Sequence, residues 1–346
     1  MNKKQVTLAD LAQQLGISTA TVSRALKDYP DISQETKKKV LELARELKYR
    51  PNSMAAGLRK RESHIIGVII PSIVNHFFSS VIKGIMEVAY EADYRVMLCQ
   101  TDESYAKEVA DTDALFASRV DGLLVSLAHE TQNYDHFDSF RDSGIPMVFF
   151  DKVPLENAMP EISKVVVDDY QGAFTSVEHL IQQGCTCIAH FHGPLSAYTS
   201  VNRYNGYKDA LKKHGLPQHE SLLLECKDIT FDEGREFVSR LREVHPECDG
   251  IFTVTDAVGM GAMMGLKAQG IHVPHDIAVI GFSDWQISAI VEPHLSSIAQ
   301  PSLEMGRIAT QLLLKEIHAN KEDTHFSPKT EVLQTQLKVR ASSKRR

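Results

Sequence analysis

The stretch Val6-Thr-Leu-Ala-Asp-Leu-Ala-Gln-Gln-Leu-Gly-Ile-Ser-Thr-Ala-Thr-Val-Ser-Arg-Ala-Leu26 decides how this chain begins. Leu8, Leu11, Ala12 and Leu15 recur at the spacing of one helix face. Thr7 is placed to cap that helix and Asp10 lies in its first turn. Gly16 ends it, because glycine enters the left-handed conformation of a helix terminus without a Cβ penalty. Ser18 then caps a second helix after a very short turn. Val22, Ala25 and Leu26 give this second helix an inward face, and its outward face carries Thr19, Ala20, Ser23, Arg24 and Lys27. A third helix is expected after Pro30, capped by Ser33, with Val40, Leu43, Ala44 and Leu47 as its stripe. Two short helices joined by a glycine turn form a helix-turn-helix. Small residues opening the second helix let its backbone approach a groove, and Arg24 supplies a fork suited to guanine O6 and N7.

Charge supports this reading. Residues 1–63 hold 13 Lys and Arg against 7 Asp and Glu, whereas the other residues hold 25 against 38. A basic head on an acidic body suits a polyanion, although charge alone fits a solvated helix face equally well. No run of about 18 apolar residues suggests a membrane span. No apolar signal core follows Met1, so a cytoplasmic protein without membrane contact is expected. The five cysteines, Cys99, Cys185, Cys187, Cys226 and Cys248, form no disulfide pattern and are expected to be reduced.

Residues 51–63 form a separate segment. Pro51 ends the third helix, and a short helix capped by Asn52 is expected to follow. At this length it is marginal alone, since helices below about 12–15 residues rarely hold in isolation. Gly57 weakens it further. Either it orders against a partner or it is a basic flexible linker.

From residue 64 onward, apolar runs alternate with amphipathic helix patterns, for example a helix over 79–93. The expected strands are 65–70, 95–99, 122–126 and 147–150, then a second set at 165–167, 187–192, 222–225, 251–254 and 278–282. Parallel strands with crossover helices follow from this order. The fold class is therefore an all-α helix-turn-helix head plus an α/β body with two doubly wound parallel-sheet subdomains. Ligands bind at the carboxyl ends of such strands, which places a pocket between the two subdomains.

The head resembles that of the lactose-repressor/galactose-repressor (LacI/GalR) family. The likeness runs from Val6 to Leu26, through Ser33-x-x-Thr36, and through Leu47-x-Tyr49-x-Pro51-Asn52. The body continues it, with a periplasmic-binding-protein-like fold, in Ile66-Gly-Val-Ile-Ile-Pro71, Arg119-Val-Asp-Gly-Leu-Leu124, Pro146-Met-Val-x-x-Asp151, Arg203-x-x-Gly206-Tyr207, Val273-Pro-x-Asp-Ile277, Gly281-Phe-Ser-Asp284 and Pro293-x-Leu-x-x-Ile298. The resemblance implies a homodimeric transcriptional regulator, a repressor by preference, on a palindromic double-stranded DNA operator. It implies base contacts from Thr19, Ala20 and Arg24, and phosphate contacts from Thr7, Ser18, Thr21 and Ser23. It makes residues 51–63 a paired hinge helix in the minor groove, with Asn52, Ala55, Leu58 and Arg59 at the DNA and Leu58 as a wedge. The body, 64–342, would comprise an N-subdomain at about 64–163 and 294–328 and a C-subdomain at about 164–293 and 329–342, with crossings near 163, 293 and 328.

A small-molecule effector, a carbohydrate by resemblance, would lie in the cleft. Phe77, Phe78, Asp151, Thr199, Arg203, Ile229, Asp256, Asp284 and Trp285 carry over as its contacts. Arg203 and Asp284 are favoured as ligand groups over buried ion pairs, while for Asp256 both roles stay open. Trp285 either stacks on a sugar face or fills the lobe interface. Purine-binding members carry Arg where this chain has Ala197; lactose-type members carry Trp at Ile229 and Asp at Ser283. Purines and plain galactosides are therefore disfavoured.

Other signals are rejected. Gly259-x-Gly261-x-x-x-Gly265 has the wrong spacing for a dinucleotide loop. Cys185 and Cys187 on one strand would point away from His190 and His192, so no metal is expected there. No nucleophile–base motif stands out, and neither an enzyme nor a cofactor is expected. A plain sugar-binding or transport component is the rival reading; the basic head counts against it. The tail beyond Arg340 lacks the heptads of a tetramerising coil, which favours a dimer. If Leu58 is a wedge, Leu58→Ala weakens operator binding and reduces DNA bending in a gel-mobility assay; unchanged bending would sink the wedge.

Overall fold

The computed structural model describes residues 6–49, 62–155 and 158–345. Asn52, Ala55, Leu58 and Arg59, and with them the expected hinge helix, lie outside the described residues. The chain divides into two compact units, residues 1–63 and 64–346.

The head contains α1 (Leu8–Leu15), α2 (Thr19–Leu26) and α3 (Gln34–Glu46). Each begins at the expected cap. Thr7 and Asp10 form a reciprocal capping box, while Ser18 and Ser33 accept the backbone N–H of Thr21 and Thr36. Gly16 closes α1 at φ 64°. Leu11, Val22 and Val40, one from each helix, are wholly buried together.

The body has two six-stranded sheets. The first has the order β11-β5-β4-β3-β1-β2. Its strands are β1 (Ile65–Ile70), β2 (Arg95–Gln100), β3 (Gly122–Val125), β4 (Met147–Phe150), β5 (Ser163–Val167) and β11 (Thr330–Leu333), all paired in parallel. The second has the order β12-β10-β9-β8-β6-β7. It comprises β6 (Ile188–His192), β7 (Leu223–Glu225), β8 (Gly250–Thr253), β9 (Ala278–Ser283), β10 (Ser296–Ala299) and β12 (Gln336–Lys338), with only β12 antiparallel. The helices are α4 (His76–Glu91), α5 (Tyr105–Ala117) and α6 (Asp138–Asp142), then α7 (Asp169–Gln182), α8 (Tyr198–Lys213), α9 (Phe231–Val244), α10 (Asp256–Ala268) and α11 (Ser302–Lys321). The two expected doubly wound subdomains are thus present. The central strands β3 and β4 are buried on both faces, as strands covered by helices on both sides must be.

Three expectations about the boundaries need correction. β5, expected in the second set of strands, pairs with β4 and β11 in the first sheet. β10 belongs to the second sheet, on β9, so the chain recrosses after Ala299 rather than near 293. The last crossing lies between Leu333 in the first sheet and Gln336 in the second, not near 328. The chain's end is also part of the second lobe: Ser342 and Ser343 are wholly buried, and Arg345 bonds the carbonyls of Asp249, Pro274 and Asp276. Among the described residues no helix is long and apolar enough to cross a membrane.

Helices α4 and α11 cross over the first sheet with their backbones almost touching. A Cβ on Gly84 would lie 2.2 Å from the Leu303 carbonyl oxygen, and one on Gly306 would lie 2.1 Å from that of Val81. Neither carbonyl is free to move, since each belongs to a packed helix. Gly84→Ala therefore forces the helices apart, with an expected loss of about 1–3 kcal/mol. Urea denaturation checks it, and an unchanged midpoint would show that the crossing is slack.

Candidate functional site

In the head, the face of α2 away from the core presents Ser18, Thr19, Ala20 and Arg24, all exposed, with Ser23 half-buried beside them. Arg24 Nη2 lies 2.6 Å from Asp31 Oδ2, and its guanidinium lies 5.7 Å from the centre of the Tyr29 ring. Both partners of this ion pair are about half exposed, so the pair contributes at most about 1 kcal/mol. It aims the fork without committing it. Three of the four residues expected at phosphates also shape helix starts. Thr7 hydroxyl donates to Asp10 at 2.8 Å, and the Ser18 and Thr21 hydroxyls bond each other at 2.8 Å.

In the body, the carboxyl ends of both sheets open onto one cavity of about 910 Å³, at the upper end of the usual range for small-molecule sites. Phe77, Phe78, Asp151, Thr199, Arg203, Ile229, Asp256 and Trp285 all border it. Phe77 and Phe78 open α4, whose start is fixed by the Asn75 side chain on the Phe77 N–H. Their rings meet edge-on at 5.2 Å. Trp285 faces the cavity from the other lobe, 6.0 Å from the Phe231 ring. Asp151, Ile229 and Ser283, all at the cavity, hold positive φ of 57°, 55° and 109°. Such backbone is costly for residues with a Cβ and gathers at functional sites.

Arg203 is buried and fully engaged. Its Nε and Nη2 each lie 2.8 Å from Asp169 Oδ1, and Nη1 donates to the Val254 carbonyl at 2.7 Å. Its guanidinium sits 3.8 Å from the centre of the Phe282 ring. The other Asp169 oxygen is buried and has no hydrogen-bond partner among the described residues. Burial, and next the neighbouring Asp169 charge, push the Asp151 carboxyl up to about 7, against the pull of Arg203 and Lys152. Among the described residues no group hydrogen-bonds that carboxyl. Gln300, where the chain recrosses, has a buried amide nitrogen beside the cavity with no partner among the described residues.

Two of the expected acids do other work. The Asp256 carboxylate accepts from Ser297 Oγ at 2.5 Å, Ser288 Oγ at 2.7 Å and the Trp285 N–H at 2.6 Å. Burial raises it to about 7. It holds the loop that presents Trp285 while still bordering the cavity. Asp284 departs from expectation: its carboxylate lies 2.6 Å from Arg340 Nη2, and the residue does not border the cavity. Arg340 lies 56 residues away in sequence, so no local pattern announces the pair.

A charged rim was not anticipated. Lys152 Nζ binds Glu103 and lies 3.1 Å from His129 Nδ1. Burial, and next the Lys152 charge, push His129 down to about 3, so its ring is neutral. Ser196 Oγ, from the second lobe, donates to the His129 carbonyl at 2.9 Å. The sequence signal was slight: Lys152 adjoins Asp151, and nothing pointed to Glu103 or His129.

Residues 63–342 match the family model for periplasmic binding proteins and the sugar binding domain of the LacI family, and residues 7–52 match the model for bacterial regulatory proteins of the lacI family. This chain belongs to the LacI family of bacterial transcription regulators. It is 34% identical to the catabolite control protein A of Priestia megaterium over 93% of this chain and 95% of that protein. It is 33% identical to the ribose operon repressor of Halalkalibacterium halodurans, over 98% and 97%. The transcriptional regulator CelR, solved in complex with cellobiose, matches with a TM-score of 0.75 and 27% identity, covering 98% of this chain and 100% of that one. In this LacI-family chain, then, the basic helix-turn-helix is a DNA-binding head and the cleft lies in the family's sugar-binding domain.

The Asp151 shift has a consequence for stability. In the unfolded chain this carboxyl titrates near 3.8, and in the folded chain near about 7. The folded state thus holds a proton that the unfolded chain gives up. The stability this contributes is complete below about pH 4 and is lost as pH rises to about 7. Asp151→Asn carries no such loss. From about pH 5 to about pH 7 it gains stability relative to the unsubstituted chain, by up to about 1.4 kcal/mol per pH unit. Chemical denaturation across that window checks this, and parallel pH curves would mean that Asp151 is already ionised in the folded protein.

Proposed function

We propose that this LacI-family regulator represses transcription as a homodimer on a palindromic operator, with its affinity set by a sugar or sugar derivative in the cleft. Its place of action on this reading is the cytoplasm. The observation that carries the effector class is the cleft's polar set: the buried, unbonded carboxyl of Asp151 beside Arg203, with the unpartnered Gln300 amide at the same cavity. A sugar hydroxyl both donates and accepts, so it satisfies an acid and an amide without bringing a charge into a buried site. Phe77 and Trp285 offer apolar faces for the C–H side of such a ring. A purine has fewer hydroxyl-like partners, and Ala197 borders the cavity without any polar group to meet one. The relatives point the same way: one is a ribose operon repressor and another regulator was solved with cellobiose.

For the head, a symmetric pair of recognition helices requires half-sites whose spacing mirrors the dimer axis. Occupancy of the cleft then alters the pairing of the two subunits over DNA through a coupling free energy of about 1–3 kcal/mol. Selection from a random duplex library tests this, followed by titration of the winner at two salt concentrations, with and without a pooled sugar mixture. The expected result is a palindrome whose affinity falls with salt and shifts with one of the sugars. Arg24→Ala should cost about 1–3 kcal/mol at one base pair of each half-site. A loss equal on all sequences would reduce Arg24 to a phosphate contact, and no enrichment under either condition would overturn the reading.

A further inference from the structure

Cys187 leads into β6 and Cys248 into β8, so both stand where strands of the second sheet begin. The cavity residues Pro194 and Thr255 follow the same two strands, which puts the cysteines at the sheet edge away from the cleft. His245 ends α9, and Glu247 follows two residues later. One donor atom from each of Cys187, His245 and Glu247 lies within 4.8 Å of the other two. His245 is already oriented: its Nε2 lies 2.6 Å from Ser221 Oγ and its Nδ1 lies 2.8 Å from Glu247 Oε1. Without an ion, Nδ1–H donates to the Glu247 carboxylate and the Ser221 hydroxyl donates to Nε2; moving the ring proton to Nε2, where Ser221 Oγ can accept it, frees the Nδ1 lone pair on the side of the thiol and the carboxylate. The neighbouring Cys248 thiol donates to the Gly250 carbonyl at 3.3 Å.

We propose that Cys187, His245 and Glu247 bind a zinc-type divalent ion at the edge of the second lobe, with water in the fourth position. Thiolate, imidazole and carboxylate are the donors zinc takes, and the sulfur disfavours magnesium and calcium. Bond lengths of about 2.0–2.3 Å set donor–donor spacings of roughly 3.3–3.7 Å around a tetrahedral ion. The present cluster reaches them by shifts of about 1 Å, which the exposed Glu247 side chain and the half-buried Cys187 permit. Binding releases the Cys187 thiol proton to solvent. The bound ion ties the end of α9 to the start of β6. This is a different set from the Cys185/Cys187 and His190/His192 pattern in the sequence: His190 stacks on Phe252 at 4.7 Å, deep in the lobe.

The test is a Co2+ titration of the reduced, chelator-stripped full chain. One equivalent should produce a sulfur-to-cobalt absorption band in the near ultraviolet and the visible bands of a four-coordinate ion, all displaced by Zn2+. Cys187→Ser should abolish the near-ultraviolet band. Glu247→Ala, at an exposed position, should weaken Co2+ binding by about tenfold or more. Cys99→Ser, in the first lobe, should change neither. A six-coordinate spectrum without a sulfur band, or a band that survives Cys187→Ser, would overturn the site. So would reduced protein that takes up no ion while mild oxidation joins Cys187 to Cys248.

Discussion

The cleft rests on one buried cation. Arg203, on α8, is held by Asp169 at the start of α7, by the Val254 carbonyl just past β8 and by the Phe282 ring in β9. A guanidinium out of water is tolerated only with partners on each face, so four elements of the second lobe must meet at one point. Removing Asp169 would strand that charge at a cost of about 3–5 kcal/mol. The pair also governs what lies beside it. Asp169 satisfies Arg203 with one oxygen and leaves the other buried and bare, and its charge helps keep a proton on Asp151.

The same region is where the chain passes between lobes. β5 runs into α7 through Asp168, β10 into α11 through Gln300, and β11 into β12 across two residues. Asp168 caps α7 through the Gln171 N–H at 2.9 Å, next to the Asp169 that anchors Arg203. Gln300 borders the cavity directly. A ligand in the cleft would therefore lie against one of the crossings, and short crossings of this kind absorb rotation while each lobe stays packed. The Ser196–His129 bond joins the lobes at the rim, so any opening of the cleft must break or lengthen it.

Much of the fold is legible in the sequence because its signals are local. Thr7, Gly16, Ser18 and Ser33 act within one helical turn, and each sits at the terminus its chemistry marks. The central strands read as continuous apolar runs because helices cover both faces. Strands β10, β11 and β12 escape that reading. Ser296-Ser-Ile-Ala299, Thr330-Glu-Val-Leu333 and Gln336-Leu-Lys338 are short and polar, and carry no period to detect. The assignment of β5 to the wrong sheet has a different cause: its apolar pattern marks a strand, but only its neighbours β4 and β11 decide which sheet it joins. At the cleft, eight of the nine positions the resemblance implies border the cavity, all but Asp284. The resemblance did not give their chemistry, because Asp256 and Asp284 are committed by Ser288, Ser297 and Arg340, all distant in sequence.

Trp285 is the only tryptophan in the chain and it borders the cavity, so its intrinsic fluorescence reports occupancy of the cleft without a label. The decisive measurement is a fluorescence titration of the full chain with matched panels of pentoses, hexoses, disaccharides, purines and amino acids. A cleft built for neutral hydroxyls predicts a saturable change with a carbohydrate, weakened by Asp151→Asn. Saturation by a purine or an amino acid, with every carbohydrate silent, would contradict it.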